Sequence, residues 1–223
     1  MIQAVLFDLD NTLYDRDLTF ERCSHAFVEE HFAEIGHDQR AEVLEQMRTR
    51  GFEGHQARVA LFADLLARFP HLPHNDAVSF EEVFFRQWLG YMTLDEGTQT
   101  LLNWLDEAAM PFGIITNGSV IQHRKIERLG LRSRVKCIFV SAEFGHKKPY
   151  SGIFRAAAAC LDIPCEHILF VGDHPELDIF GANRVGMTTA WLHRGLPWPD
   201  TITSVQPDYV IASLGELLPL LRA

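Results

Sequence analysis

The sequence predicts an α/β protein with a doubly wound, parallel β-sheet core and a helical insertion. Several short runs are apolar throughout rather than alternating, which is typical of strands buried on both faces of a parallel sheet; they are residues 4–7, 112–115, 137–140, 168–171, 188–192 and 209–211. Amphipathic segments of helical length lie between them or after them, at residues 98–109, 120–129, 152–161, 177–185 and 214–221. Strands that alternate with helices at these lengths indicate βαβ units.

Residues 15–92 interrupt this alternation, because they contain no convincing strand run. Their apolar residues recur at helical spacing in four segments, residues 18–33, 39–50, 56–69 and 80–91, with breaks at residues 36–37, 51–54 and 70–73. We therefore predict a helical domain of residues 15–92, inserted into an α/β core made of residues 1–14 and 93–223.

Composition limits the classes of function. The chain has 223 residues, of which 47% are hydrophobic and 22% charged, so a sizeable packed core is expected. A net charge of −10 argues against binding to a nucleic acid polymer, which requires a basic surface. No apolar run approaches the ~20 residues that span a bilayer, so no membrane partner is expected. The first seven residues lack the features of a signal peptide and predict a strand, which favours a cytoplasmic location.

The four cysteines, Cys23, Cys137, Cys160 and Cys165, form no CxxC pair. Neither a zinc site nor a disulfide framework is expected, and reduced structural thiols are the simpler interpretation. The sequence gives no prediction of the oligomeric state.

Polar residues follow the predicted strands at the points where they end. These segments are residues 8–12 after the first strand, 116–118 after the second, 145–149 beyond the third and 172–174 after the fourth. In open parallel sheets ligands bind outside the carboxyl ends of the strands, so the four segments are expected to share one cleft. Carboxylates there can hold a hard divalent cation, while hydroxyls, a lysine and backbone N–H groups can bind an anion.

Each segment also has an ordinary interpretation taken alone. Asp8 and Asp10 fit an acidic loop, and residues 116–118 fit a strand-to-helix turn. Residues 147–149 fit a solvated basic turn, and Asp173 with Asp178 fits a turn followed by an exposed helix charge. The occurrence of all four in order favours a joint site.

The four segments resemble the motifs of the haloacid dehalogenase-like hydrolases. The run Asp8-Leu9-Asp10-Asn11-Thr12 is similar to the family's DxDxT, Thr116 to its second motif, Lys148 before Pro149 to its third, and Gly172-Asp173 with Asp178 to its acidic fourth. The resemblance extends over nearly the whole chain and implies a Rossmann-like core. It also implies that the helical insertion is the cap domain of one branch of the family.

The resemblance implies a role for three residues of the first motif. Asp8 would attack phosphorus and form an aspartyl-phosphate. Asp10 would protonate the leaving alkoxide and then activate the water that cleaves the intermediate. Thr12 would form a nearby hydrogen bond and hold the geometry of the loop.

The other motifs would bind the phosphoryl group and a metal ion. Thr116 would bind a phosphoryl oxygen, together with backbone N–H groups around Leu9 and Asn117. Lys148, preferred over Lys147 because it directly precedes proline, would neutralise charge on Asp8 and on the phosphoryl group. The implied metal is Mg²⁺, with Asp8, Asp173 and the Asp10 carbonyl as ligands and with Asp178 acting through water or by orienting a ligand.

Electrostatics also requires a cation at such a site. Unit charges ~4 Å apart interact by ~4 kcal/mol at an effective dielectric constant of ~20, so several carboxylates beside a phosphate dianion would repel strongly. Mg²⁺ and Lys148 would remove most of that repulsion.

Asp10 distinguishes between the reactions of the family, because members that dehalogenate lack an acid at this position. Residues 15–92 contain no lysine, which argues against a phosphonatase that forms a Schiff base through its cap. We expect hydrolysis of a small phosphorylated metabolite, such as a nucleotide, FMN or a sugar phosphate. The alternatives are a non-catalytic regulator or binding module, a receiver-like phosphoacceptor and, less favoured, a dehalogenase.

Substrate selectivity is expected to come from the insertion. The candidates are its basic and aromatic residues near the break at residues 51–54, although any single one of them is more simply a surface or packing residue: Arg48, Arg50, Phe52, His55 and Arg58. Four further residues are expected to form the core of the insertion: Met47, Phe62, Phe84 and Phe85.

Overall fold

The computed structural model describes residues 1–72, 74 and 76–222. The chain divides into two compact units, one made of Met1–Asp15 with Thr93–Ala223 and the other of Arg16–Met92. We call them the core unit and the helical unit. Of the predicted break at residues 70–73, Pro73 lies outside the described residues.

The core unit contains one parallel sheet, whose described strands follow the order β3-β2-β1-β4-β5-β6. The strands are β1 (Ala4–Phe7), β2 (Phe112–Thr116), β3 (Cys137–Val140), β4 (Ile168–Gly172), β5 (Thr188–Leu192) and β6 (Tyr209–Ile211). β1 lies in the middle, with Val5 opposite Phe112 of β2 and Leu169 of β4. All residues of β1, β2 and β4 are buried, as runs without polar alternation predict. The predicted α/β fold class is confirmed.

The described residues of the helical unit form four α-helices, α1 (Arg16–His31), α2 (His37–Arg50), α3 (His55–Arg68) and α4 (Ala77–Tyr91), with a 3₁₀ turn at Gly51–Glu53. Asp76 caps α4 by accepting a hydrogen bond from the backbone N–H of Ser79 at 2.8 Å. The four residues expected to form its core, Met47, Phe62, Phe84 and Phe85, are all buried. Aromatic side chains dominate this core, and Phe62 and Phe80 have ring centroids 4.8 Å apart.

Arg58, one of the five selectivity candidates, lies in the interior of the helical unit. Its Nε donates to Glu81 Oε1 at 2.8 Å, and its guanidinium lies over the Trp88 ring at 5.2 Å. His55 Nδ1 approaches the other oxygen of Glu81 at 2.9 Å. A charge buried in this way needs a partner, and Glu81 supplies it. Arg58 is therefore an internal ion-pair residue of this unit.

Further helices of the core unit surround the sheet: α5 (Glu96–Glu107), α6 (Gln122–Arg128), α7 (Ser141–Phe144), α8 (Ser151–Leu161), α9 (Gly181–Asn183) and α10 (Leu217–Leu221). The helix predicted at residues 177–185 begins earlier, as a π-helical turn over Pro175–Phe180 that leads into α9. His174 causes this early start, because its Nδ1 accepts hydrogen bonds from the backbone N–H groups of Glu176 and Leu177. The helix predicted at residues 214–221 begins as a 3₁₀ turn over Leu214–Glu216.

The four cysteines are free thiols, two of them buried. None of the described helices is long and apolar enough to cross a membrane.

Candidate active site

The candidate site lies where the strand order of the core sheet reverses. β1 has β2 on one side and β4 on the other, and the chain leaves all three strands at the same edge. The backbone N–H of Asp8 still donates to Val171 O at 2.9 Å, so Asp8 continues directly from the sheet. The crevice at such a reversal is the usual ligand site of doubly wound folds.

A buried lysine joins two carboxylates in this crevice. Lys148 Nζ lies 2.6 Å from Asp8 Oδ1 and 2.5 Å from Asp178 Oδ1, and all three side chains are buried. Burial alone would lower the pKa of Lys148, but the charges and hydrogen bonds of Asp178 and Asp8 outweigh it and raise that pKa. Lys148 is therefore cationic. The neighbouring Lys147 is exposed, so Lys148 is the lysine that lies in the crevice.

The surroundings of Asp8 favour its neutral form, whereas those of Lys148 favour its charged form. Burial raises the pKa of Asp8; Lys148 lowers it, while the negative charges of Asp178 and Asp10 raise it further, so the pKa moves from 3.8 to about 6. One lysine does not offset burial and the two neighbouring acids, and additional positive charge would favour the ionised form of Asp8.

Three carboxylates are grouped closely enough to hold one cation. Asp8, Asp173 and Asp178 each offer an oxygen, and these oxygens lie within 4.8 Å of one another. Gly172 is required next to them, because a Cβ atom at this position would lie 2.4 Å from Asp178 Oδ2. That same oxygen accepts a hydrogen bond from the backbone N–H of His174 at 3.0 Å. Both oxygens of Asp178 therefore accept hydrogen bonds within the protein.

Asn117, expected to contribute to substrate binding, uses its carboxamide within the protein. Its Oδ1 accepts from the backbone N–H of Lys148 at 2.8 Å, and its Nδ2 donates to Lys148 O at 3.1 Å. This reciprocal pair joins the loop after β2 to the segment that carries Lys148.

Asp10 lies among donors that the sequence motifs do not reveal. Lys125 Nζ lies 2.7 Å and 2.9 Å from its two carboxylate oxygens, Gln122 Nε2 donates at 2.8 Å, and the Tyr14 hydroxyl donates at 2.5 Å. Burial would raise the pKa of Asp10, but the Lys125 charge and the donated hydrogen bonds lower it to about 2. The sequence contains one feature that could have revealed these donors. Gln122 and Lys125 are spaced so that they share a helix face with the apolar Ile126, which is the buried face of α6.

The two threonines differ in their contacts. Thr116 Oγ1 accepts a hydrogen bond from Gln122 Nε2 at 2.6 Å. The Thr12 hydroxyl is buried and has no hydrogen-bond partner within the part of the chain that the structure describes, so the hydrogen bond expected of it is absent there. Backbone bonds hold this loop instead, since the N–H groups of Thr12 and Leu13 both donate to Leu9 O.

Arg194, which no motif includes, also supports the loop after β1. Its Nε donates to the carbonyl of Asn11 at 2.5 Å, and its Nη1 lies 2.7 Å from Asp15 Oδ2. Asn11 adopts a positive φ of 61° at this turn, which asparagine tolerates better than most residues. Arg194 follows β5, so residues at opposite ends of the sequence fix the turn between Asp10 and Asp15.

The fold and the site together define a Rossmann-like α/β protein with a buried carboxylate, a lysine paired to it and a cluster of acids that fits a cation. Residues 2–186 match the haloacid dehalogenase-like hydrolases. The chain belongs to this family, and within it the chain is an enzyme of the phosphatase type. The resemblance found in the motifs is thus confirmed.

Similar proteins support this assignment. The chain is 34% identical to the ribulose-1,5-bisphosphate 5-phosphatase of Halopiger xanaduensis, over 99% of both chains. It is 30% identical to the glyceraldehyde 3-phosphate phosphatase of Methanopyrus kandleri, over 100% of this chain and 98% of the other. Among solved structures, the HAD-hydrolase YfnB of Bacillus subtilis bound to magnesium aligns with a TM-score of 0.73 and 25% identity, over 100% of this chain and 99% of that one.

Proposed function

We propose that this protein hydrolyses the phosphomonoester of a small phosphorylated metabolite, using Mg²⁺ and an aspartyl-phosphate intermediate on Asp8. The observation that carries the proposal is the ion-paired group of Asp8, Lys148 and Asp178 at the reversal of strand order, 2.6 Å and 2.5 Å from lysine to each acid. A carboxylate held beside a fixed cation is suited to attack on an anionic phosphorus centre.

In the first step an oxygen of Asp8 forms a bond to phosphorus while the bond from phosphorus to the ester oxygen breaks. Lys148 supplies positive charge beside both the nucleophile and the transferred group. Thr116, whose hydroxyl shares the Gln122 amide with Asp10, would bind a phosphoryl oxygen. In the second step a water oxygen attacks phosphorus, releasing inorganic phosphate and restoring the Asp8 carboxylate.

Asp10 would serve as the acid of the first step and the base of the second. With a pKa of about 2 it is ionised at neutral pH, which suits the base. The acid must carry a proton, and a phosphoryl dianion next to Asp10 would favour protonation, because like charges raise the pKa of a carboxyl. Asp10 would then give that proton to the departing ester oxygen.

The residues present fit Mg²⁺ as the cation. Asp8, Asp173 and Asp178 offer carboxylate oxygens, which are the ligands that this hard ion prefers. Burial and the neighbouring acids raise the pKa of Asp8, and a cation at this position would lower it again. When bound, Mg²⁺ would neutralise the acids and polarise the phosphoryl group.

We also propose that the helical unit is the cap that selects the substrate. Its exposed or half-buried basic and aromatic candidates are Arg48, Arg50, Phe52 and His55. Similarity to phosphatases of ribulose-1,5-bisphosphate and glyceraldehyde 3-phosphate supports a sugar phosphate or related metabolite as substrate.

The test is hydrolysis of 4-nitrophenyl phosphate, with and without Mg²⁺, by the native protein and by Asp8→Asn. We expect metal-dependent turnover that is lost in the variant, and a phosphorylated native protein that can be trapped by acid quenching. Exposed Lys147→Met is the matched control and should retain activity. Undiminished turnover by Asp8→Asn would contradict the proposed nucleophile. Active protein would then be screened against phosphorylated sugars and nucleotides.

A further inference from the structure

Lys125 is a buried lysine that the motifs leave without a role. It lies on α6, is 5% exposed, and places its Nζ 2.7 Å and 2.9 Å from the two oxygens of Asp10. Burying an ammonium group is costly unless it is paired and hydrogen-bonded. The contact to both oxygens restrains the whole carboxylate of Asp10.

Gln122, one turn earlier on the same face of α6, is 2% exposed and links two functional groups. Its Nε2 lies 2.8 Å from Asp10 Oδ2 and 2.6 Å from Thr116 Oγ1. Gly118 leaves room for this side chain, since a Cβ atom there would lie 2.8 Å from Gln122 Cγ. A single amide therefore sets the spacing between the carboxylate of Asp10 and the hydroxyl of Thr116.

We propose that Lys125 and Gln122 are positioning residues that hold the carboxylate of Asp10 in a fixed relation to the hydroxyl of Thr116. The inference rests on the proposed function, in which Thr116 binds the phosphoryl group and Asp10 exchanges a proton with the ester oxygen. Proton transfer requires Asp10 within hydrogen-bond reach of that oxygen. Because misplacement by about 1 Å can cost roughly 10²-fold in rate, the orientation of Asp10 needs such restraint. Lys125 and Gln122 act through Asp10 and do not touch the phosphoryl group.

The consequence is a specific dependence on the leaving group. A nitrophenolate departs with little help from an acid, whereas phenolate and alkoxides need a proton. Loss of Asp10 positioning should therefore make kcat/KM fall more steeply as the pKa of the leaving group rises. A general loss of folded enzyme would instead lower kcat/KM equally for all esters.

The experiment measures kcat/KM for a series from 4-nitrophenyl phosphate to phenyl phosphate and 4-methoxyphenyl phosphate, with Mg²⁺ present. The variants are Lys125→Met, Gln122→Met and Asp10→Asn, with exposed Lys136→Met as the matched control. We expect Lys125→Met to lose roughly 10-fold or more on the poorest leaving group but less than about 3-fold on 4-nitrophenyl phosphate. Gln122→Met keeps the Lys125–Asp10 ion pair, so it tests the inference even where Lys125→Met folds poorly.

A double variant separates positioning from a structural role. If Lys125 acts through Asp10, adding Lys125→Met to Asp10→Asn should change kcat/KM by less than about 2-fold, because coupled residues are non-additive. Additive losses, or equal losses across the ester series, would overturn the inference. If Asp10→Asn itself leaves the leaving-group dependence unchanged, the failure lies with the proposed function of Asp10 instead.

Discussion

Replacing the proposed nucleophile should make the metal-free protein more stable. Burial and the neighbouring acids, opposed by Lys148, raise the pKa of Asp8 from 3.8 to about 6. A carboxyl whose pKa is raised by folding contributes stability below its unfolded pKa, and this contribution is lost as the pH rises through the folded pKa. A shift of about 2 units corresponds to a cost of about 3 kcal/mol at neutral pH. Asp8→Asn has a similar shape and no charge, so it avoids that cost.

The assay is urea denaturation in EDTA, followed by circular dichroism, at pH 7.5 and pH 4.5. At pH 7.5 we expect Asp8→Asn to exceed the native protein by up to about 3 kcal/mol in free energy of unfolding. At pH 4.5 the advantage should shrink by about 2 kcal/mol, because Asp8 is then largely protonated in the folded state. Adding Mg²⁺ should stabilise the native protein by about 2.7 kcal/mol at 100 times its dissociation constant, and the variant by less.

Asp10→Asn is the matched control, and it should change the free energy of unfolding in the opposite direction. The pKa of Asp10 is lowered to about 2, so its ionised form contributes stability above the unfolded pKa that is lost only as the pH falls towards 2. This variant should lose about 2 kcal/mol or more at pH 7.5 and at pH 4.5 alike. If Asp8→Asn destabilised the metal-free protein as Asp10→Asn does, or if its advantage did not vary with pH, the electrostatic reasoning would be refuted.

The remaining predictions concern three further contacts. Lys148→Met should abolish turnover and lower the free energy of unfolding at pH 7.5 by roughly 3–5 kcal/mol, because two buried carboxylates lose their partner; activity of a stable variant would contradict this. Asn117→Ala should lower kcat by a larger factor than it raises KM, because the backbone of Lys148 loses its two hydrogen bonds to the Asn117 carboxamide. Stopped-flow and steady-state kinetics measure both constants, and a change in KM alone would contradict the prediction. Arg58→Met should lower the free energy of unfolding by about 3 kcal/mol by leaving Glu81 buried without its main partner, whereas the double variant with Glu81→Gln should recover part of the loss, as measured by urea denaturation.

The central strands of the core, β1, β2 and β4, could be predicted from the sequence because burial on both faces leaves an apolar run. β1, β3, β5 and β6 begin and end at the predicted residues. The start of the helix expected at residues 177–185 was predicted less accurately. The side chain of His174 caps the helical turn at Pro175, two residues before the predicted start. Such a local hydrogen bond leaves no periodic signal.

The motif residues of the site were predictable because each follows a strand, and parallel strands end at one edge. Asp8, Lys148 and Asp178 are in contact as that geometry requires, while their proposed catalytic roles remain predictions. The partners of Asp10 were missed, since Lys125 comes from a helix far along the chain and lysine is usually exposed. The burial of Arg58 was also missed. A basic residue near a loop is usually exposed, and the sequence does not show that the helix turns Arg58 towards Glu81.

The central place of β1 has a consequence for synthesis on the ribosome. Val5 pairs with Phe112 and Leu169, so β1 is translated before both of its neighbours and acquires the second only after synthesis has passed Leu169. At about 5–20 residues per second, that delay is roughly ten to thirty seconds. Arg16–Met92, which forms a compact unit, is complete before then. Until β4 exists, one edge of β1 has no partner and is prone to aggregation. Asp8, at the end of β1, is therefore among the last groups to reach its final environment.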